Sequence, residues 1–96
     1  MTVDEVLERG FEAGDFASSY SSDDFEHAWE IEQAEDSFAE IEALDDELQA
    51  AYRAAFVLGF FSARDEDDAE EAGMLDELKD SRYRYGNVLR ELGVLG

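Results

Sequence analysis

The chain has 96 residues with no cysteine and no proline, and its 27 acidic residues against seven basic ones give a formal charge of -20 at pH 7. That length fits one acidic helical domain over residues 1–96 with a single modest core, since chains of this size bury only about 60–65% of their unfolded surface. The missing cysteine excludes disulfides, thiolate nucleophiles and cysteine-ligated zinc, so stability has to come from packing and association.

Thr2-Val3-Asp4-Glu5 has the pattern of a capping box and predicts a helix start, with Val3, Val6, Leu7, Gly10 and Phe11 on one face and a stop at Gly14. Phe16 and Tyr20 then fall in a serine-rich connector, residues 17–22, because serines favour turns and caps over helix interiors. Ser22, Asp23 and Asp24 predict the start of a second helix, whose apolar side is Phe25, Ala28, Trp29 and Ile31.

From Ile31 to Leu58 apolar residues recur at steps of three and four, a seam that would give a helix over 23–63 if unbroken. That is too long for a compact domain. Breaks are expected at Ser37-Phe38-Ala39-Glu40, a second capping box, and at Asp45-Asp46-Glu47. Residues 46–63 form the firmest helix, with Tyr52, Phe56 and Phe60 on one stripe and Ala54, Val57 and Phe61 on another. A helix apolar on every side belongs in a core or an oligomer interface. A last helix is expected from Asp67 or Asp68 to a left-handed cap at Gly93, with Gly86 marking a kink or a close crossing. No stretch alternates at period two, so no strand is expected. The fold class is all-α, a bundle of three to five helices completed by homo-oligomerisation.

Lys79 is the only lysine. Scarce lysine and abundant carboxylates suit concentrated salt, where the Debye length falls from about 10 Å at 0.1 M to about 3 Å at 1 M and repulsion fades. The composition therefore reads as a cytoplasmic protein of a high-salt interior. The N-terminus lacks the basic and apolar regions of a signal peptide. The longest nearly apolar run, residues 50–63, contains Arg53 and is too short to span a bilayer, so no membrane partner is expected.

Four patterns bear on chemistry. Residues 79–96 carry four basic side chains, Lys79, Arg82, Arg84 and Arg90, against two acids, whereas residues 1–78 carry three arginines against 25 acids. Arginine beside tyrosine suits an anionic partner or nucleic acid, but a polyanion is repelled by the rest of the chain, and ion pairs within the fold account for the cluster more simply. The acidic run 65–71 lacks the glycine and terminal glutamate of a calcium loop and reads as a solvated helix start. Asp24, His27 and Glu30 share a helix side and are the only weak metal candidates, short of the glutamates that a di-iron bundle needs. No Gly-x-Ser-x-Gly elbow or phosphate loop is present, so neither catalysis nor a cofactor is expected.

The reading is a non-enzymatic protein-interaction or assembly module adapted to high salt, partnered by itself as a homodimer or higher, or by another protein. Its interface would hold Tyr52, Phe56, Phe60 and Phe61, too many aromatics for one small core. The alternatives are a regulator that binds nucleic acid or an anionic partner through Lys79, Arg82, Arg84 and Arg90, and an acidic inhibitor that mimics DNA.

Overall fold

The computed structural model describes residues 1–20 and 24–95 and is all-helical over them, without strands. Six helices follow in order: α1 (Val3–Tyr20), α2 (Phe25–Ala34), α3 (Phe38–Glu42), α4 (Asp46–Phe60), α5 (Glu66–Glu71) and α6 (Leu75–Glu91). The helix start read at Ser22 and Asp23 lies outside the described residues; Asp24 is the N-cap of α2 and accepts from the Glu26 amide.

The capping box at Thr2 forms, with Thr2 Oγ1 accepting from the Glu5 amide at 3.2 Å. The stop at Gly14 does not. The helix α1 runs on to Tyr20, because Gly14 serves contact with α4 rather than chain reversal. A Cβ at Gly14 would lie 2.1 Å from the Phe56 carbonyl oxygen, one at Gly59 would lie 2.1 Å from that of Phe11, and one at Gly10 would lie 2.7 Å from that of Tyr52. Small residues one turn apart let two backbones touch along their length. The order of these contacts, extended by Arg64 reaching Ser18, makes α1 and α4 parallel neighbours.

Parallel neighbours need a return segment, and α2 and α3 supply it. Phe25 packs beside Phe56, Phe60 and Phe61, while Trp29 packs farther back beside Phe56 and Tyr52, so α2 descends antiparallel along α4. The break before α3 falls as expected, but the Ser37 capping box does not form, and the Ser37 side chain makes no cap bond. Glu40 is occupied elsewhere, since Arg9 of α1 donates to it at 2.8 Å. Asp45 caps α4 by accepting from the Leu48 amide at 2.9 Å. The helix α4 ends at Phe60, three residues short of the expected 63.

The single last helix expected from Asp67 or Asp68 is two. Gly73, at φ +72°, closes α5 in a Schellman turn, with Met74 N–H bonded to Ala69 O at 2.8 Å and Gly73 N–H to Glu70 O at 3.0 Å. Gly93, at φ +81°, closes α6 in the same way, as the sequence implies. Gly86 marks no close crossing: the nearest atoms to a Cβ there are side-chain atoms of Arg82 and Arg90 on its own helix, at 3.4 Å and beyond. Alanine therefore fits, and Gly86→Ala is expected to raise stability by about 0.5–1 kcal/mol, read as a higher urea midpoint at unchanged slope.

The core gathers α4 with Val6, Leu7 and Phe11 of α1, Phe25 and Ala28 of α2, Phe38 and Ile41 of α3, and Leu78 and Leu89 of α6. Outside it, every described Asp and Glu is exposed except Glu32 and Glu77, which are half-buried. Both have partners: Glu32 accepts from the Tyr52 hydroxyl at 3.0 Å and Glu77 holds Arg53.

Candidate functional site

The four aromatics read as interface residues are core residues of one chain. Tyr52, Phe56, Phe60 and Phe61 are 2, 0, 0 and 6% exposed. They share a core because Phe25 enters among three of them, with ring centroids 5.7, 5.3 and 6.0 Å from those of Phe56, Phe60 and Phe61. The argument that they exceed one small core therefore fails, and any surface offered to a partner lies elsewhere.

One accessible groove, of about 490 Å³, lies where α2 and α3 meet α4. Trp29, half-buried, is its accessible apolar residue, the core residues Phe38 and Ile41, 7 and 1% exposed, back it, and Gln33, Glu42 and Gln49 supply polar edges. Its walls are pinned by bonds between elements. Gln49 Nε2 donates to the Glu42 and Leu44 carbonyl oxygens at 3.0 and 2.8 Å, satisfying the last carbonyl of α3 and one in the turn that follows it. Arg9 ties α1 to Glu40, and the Tyr52 hydroxyl ties α4 to Glu32 of α2.

Arg53 stands at one end of the groove. It donates through Nε and Nη2 to the two Glu77 oxygens at 2.8 and 3.1 Å, a bidentate pair. Its guanidinium carbon lies 5.2 Å from the Phe25 ring centroid and 5.1 Å from that of Trp29. One side chain thus joins α2, α4 and α6. Beyond it a second, smaller recess of about 190 Å³ runs between Ala50 and Ala54 of α4 and Ser81, Arg84 and Tyr85 of α6.

Glu32 of α2 precedes the groove residue Gln33 in the chain and is half-buried against Tyr52. Burial is the main cause raising its carboxyl above the usual range, and the Tyr52 hydrogen bond and the Arg9 charge oppose this in part. Burial, then the Glu32 charge, push the Tyr52 phenol up as well. A carboxyl whose folded pKa is raised favours the fold while protonated, and that contribution is lost as pH rises through the folded value. Glu32→Gln is therefore expected to melt at a higher temperature than wild type at pH 7, and by more than exposed Glu30→Gln, which removes the same charge. The difference should close as pH falls through the Glu32 titration; a constant difference across pH would contradict the assignment.

The basic cluster is distributed over α6 and largely engaged. Arg82 pairs with Glu66 of α5 at 3.0 Å, Arg84 with Asp80 one turn earlier at 3.2 Å, and Arg90 donates to Asn87. Lys79 is exposed. Both ion pairs are solvent-exposed and each is worth at most about 1 kcal/mol. Of the weak metal candidates, Asp24 caps α2 while His27 and Glu30 are exposed, and no group of three or more His, Cys, Asp or Glu among the described residues is arranged to hold a metal ion. In the acidic run, Asp65 and Asp68 form a reciprocal capping box for α5.

Trp29, Phe38, Ile41 and Arg53 are the groove residues that the sequence leaves unmarked. Arg53 has a local signal, as the only basic residue of α4, but the others are indistinguishable from core positions. The chain matches no protein-family model, no curated protein and no solved structure. No helix among the described residues is long and apolar enough to cross a membrane.

Proposed function

We propose that the protein is a helical interaction or assembly module adapted to high salt, taking its partner in the groove between α2, α3 and α4. The observation that carries this reading is an open groove at Trp29, backed by the buried Phe38 and Ile41, whose walls are fixed by the Gln49, Arg9 and Tyr52 bonds. A preformed apolar groove with a polar edge suits an amphipathic segment, and aromatic contacts keep their strength where salt screens charge. No catalytic step is assigned to it. The reading of α6 as a nucleic-acid surface is weaker, because Arg82 and Arg84 already meet carboxylates and molar ions compete for every phosphate contact.

The test is co-purification from the native host in molar salt, with wild type compared to Ala50→Arg. Ala50 is exposed and lines both the groove and the recess beyond Arg53, so the long side chain obstructs this face without touching the core. The expected result is loss of the co-purifying species with an unchanged melting curve. The same species in equal amount from both proteins would contradict the groove.

A further inference from the structure

The groove's occupant can be argued from the rest of the chain, on the reading that this groove binds protein. Tyr83 is 87% exposed, more than any other large apolar side chain among the described residues. It lies on the side of α6 away from α4, since Ser81 and Tyr85, each two residues and about 200° away, line the recess against α4. Lys79 stands one turn before it, and the Arg82 and Arg90 side chains converge over Gly86, three residues after it. Tyrosine and arginine are enriched in interface hot spots, and Tyr83 stands between Arg82 and Arg84, which also meet Glu66 and Asp80.

The complement is also in this chain. Residues 24–49, which form α2, α3 and the entry to α4, hold eleven acids and neither lysine nor arginine, whereas residues 79–96 hold four basic side chains and two acids. The 490 Å³ groove lies mostly within that acidic stretch, with Trp29 to receive a ring, Glu42 at its edge, and Arg53, already paired with Glu77, at its end. Tyr83 points away from its own α4, so it cannot fill the groove of its own chain.

We infer that the outward face of α6 bearing Tyr83 docks into the Trp29–Phe38–Ile41 groove of a second copy of this chain. The contact is heterologous, one patch on a different patch, so it builds either a reciprocal pair or a longer series. Both depend on the same ring in the same groove. High salt weakens the attraction between the α6 cations and the acidic stretch but screens the larger repulsion between bodies of charge -20 and strengthens aromatic burial, so the ring in the groove carries the contact.

Light scattering over a protein concentration series in 2 M potassium chloride tests this, with Trp29 emission followed in parallel, since Trp29 is the only tryptophan. Wild type is expected to exceed the monomer mass of 10.8 kDa and to shift its emission over the same concentrations. Tyr83→Ser and Ala50→Arg, one on each side of the contact, should both remain at the monomer mass with wild-type helicity. A wild type that stays monomeric throughout would overturn the proposal, as would association that either variant leaves unchanged. A monomeric wild type whose co-purifying species is still lost in Ala50→Arg would remove the second copy as occupant and leave the interaction groove standing. Binding of a DNA duplex in the same salt, lost in Tyr83→Ser, would reassign the α6 face to nucleic acid.

Discussion

Gly59→Ala is expected to abolish the folded state or to lower the melting midpoint by more than about 10 °C, although alanine is the better helix former by about 1 kcal/mol. The added methyl would sit 2.1 Å from the Phe11 carbonyl oxygen and 2.9 Å from the Asp15 amide nitrogen. Those are backbone atoms of a continuous helix and cannot turn aside as a side chain does. The helices must move apart, and the side chains packed along the α1–α4 seam lose contact together. A loss of about 3 kcal/mol or more is the upper range for single substitutions and exceeds the propensity gain threefold. Gly14→Ala meets the Phe56 carbonyl oxygen at the same 2.1 Å and should behave alike, Gly10→Ala at 2.7 Å should be milder, and Gly86→Ala should stabilise. Far-ultraviolet circular dichroism melts of the four variants check the order. Wild-type midpoints for Gly59→Ala and Gly14→Ala would show that α1 and α4 are not in backbone contact.

Raising potassium chloride from 0.1 M to 2 M is expected to lift the melting midpoint by about 20–40 °C. The charge of -20 is confined to a body with a radius of gyration of 12.2 Å, and nearly all described carboxylates lie on its surface. Treated as a charged sphere, such a body relaxes by on the order of 5 kcal/mol relative to the expanded chain when the Debye length shrinks from about 10 to about 3 Å. The whole stability of a small domain is only about 5–15 kcal/mol. Repulsion of that size is comparable to the whole stability, and the ion pairs of Arg9, Arg53, Arg82 and Arg84 among the described residues offset little of it at about 1 kcal/mol or less for each exposed pair. Sodium chloride should act much as potassium chloride does, because screening depends on ionic strength. A midpoint unchanged from 0.1 M to 2 M would contradict this account of the acidic surface.

Features that depend on neighbours in sequence were legible before the fold was known. Thr2 with Glu5, Asp45 before α4 and Gly93 after α6 act locally, and each does what its pattern implies. Features that depend on a distant partner were not. Gly14 looks like a helix stop, and only its spacing from Gly10, matched by Ala55 and Gly59 on α4, hints at a backbone contact. Ser37 and Glu40 carry the same pattern as Thr2 and Glu5, but Arg9, 31 residues away from Glu40, takes the glutamate. Gly73 was hidden because Ala69, Ala72, Leu75 and Leu78 keep helical spacing straight across the turn. The aromatics of α4 read as interface residues because nothing local reveals that Phe25 packs among them. Conversely, the groove exists because α2 and α3 stand off α4 near Ala50, a matter of helix placement to which composition is blind.

The central claim, that the α2–α3–α4 groove is where this protein meets its partner, is tested most directly by site-specific photo-crosslinking in molar salt. Gln33 is exposed at the groove edge, and Glu12 is exposed on α1, outside the groove lining. A photoreactive residue at position 33 is expected to give a discrete crosslinked adduct, a second copy of the chain or another protein, that position 12 does not give and that Ala50→Arg removes. Equal crosslinking from both positions, or none from position 33 while the protein is folded, would contradict the claim.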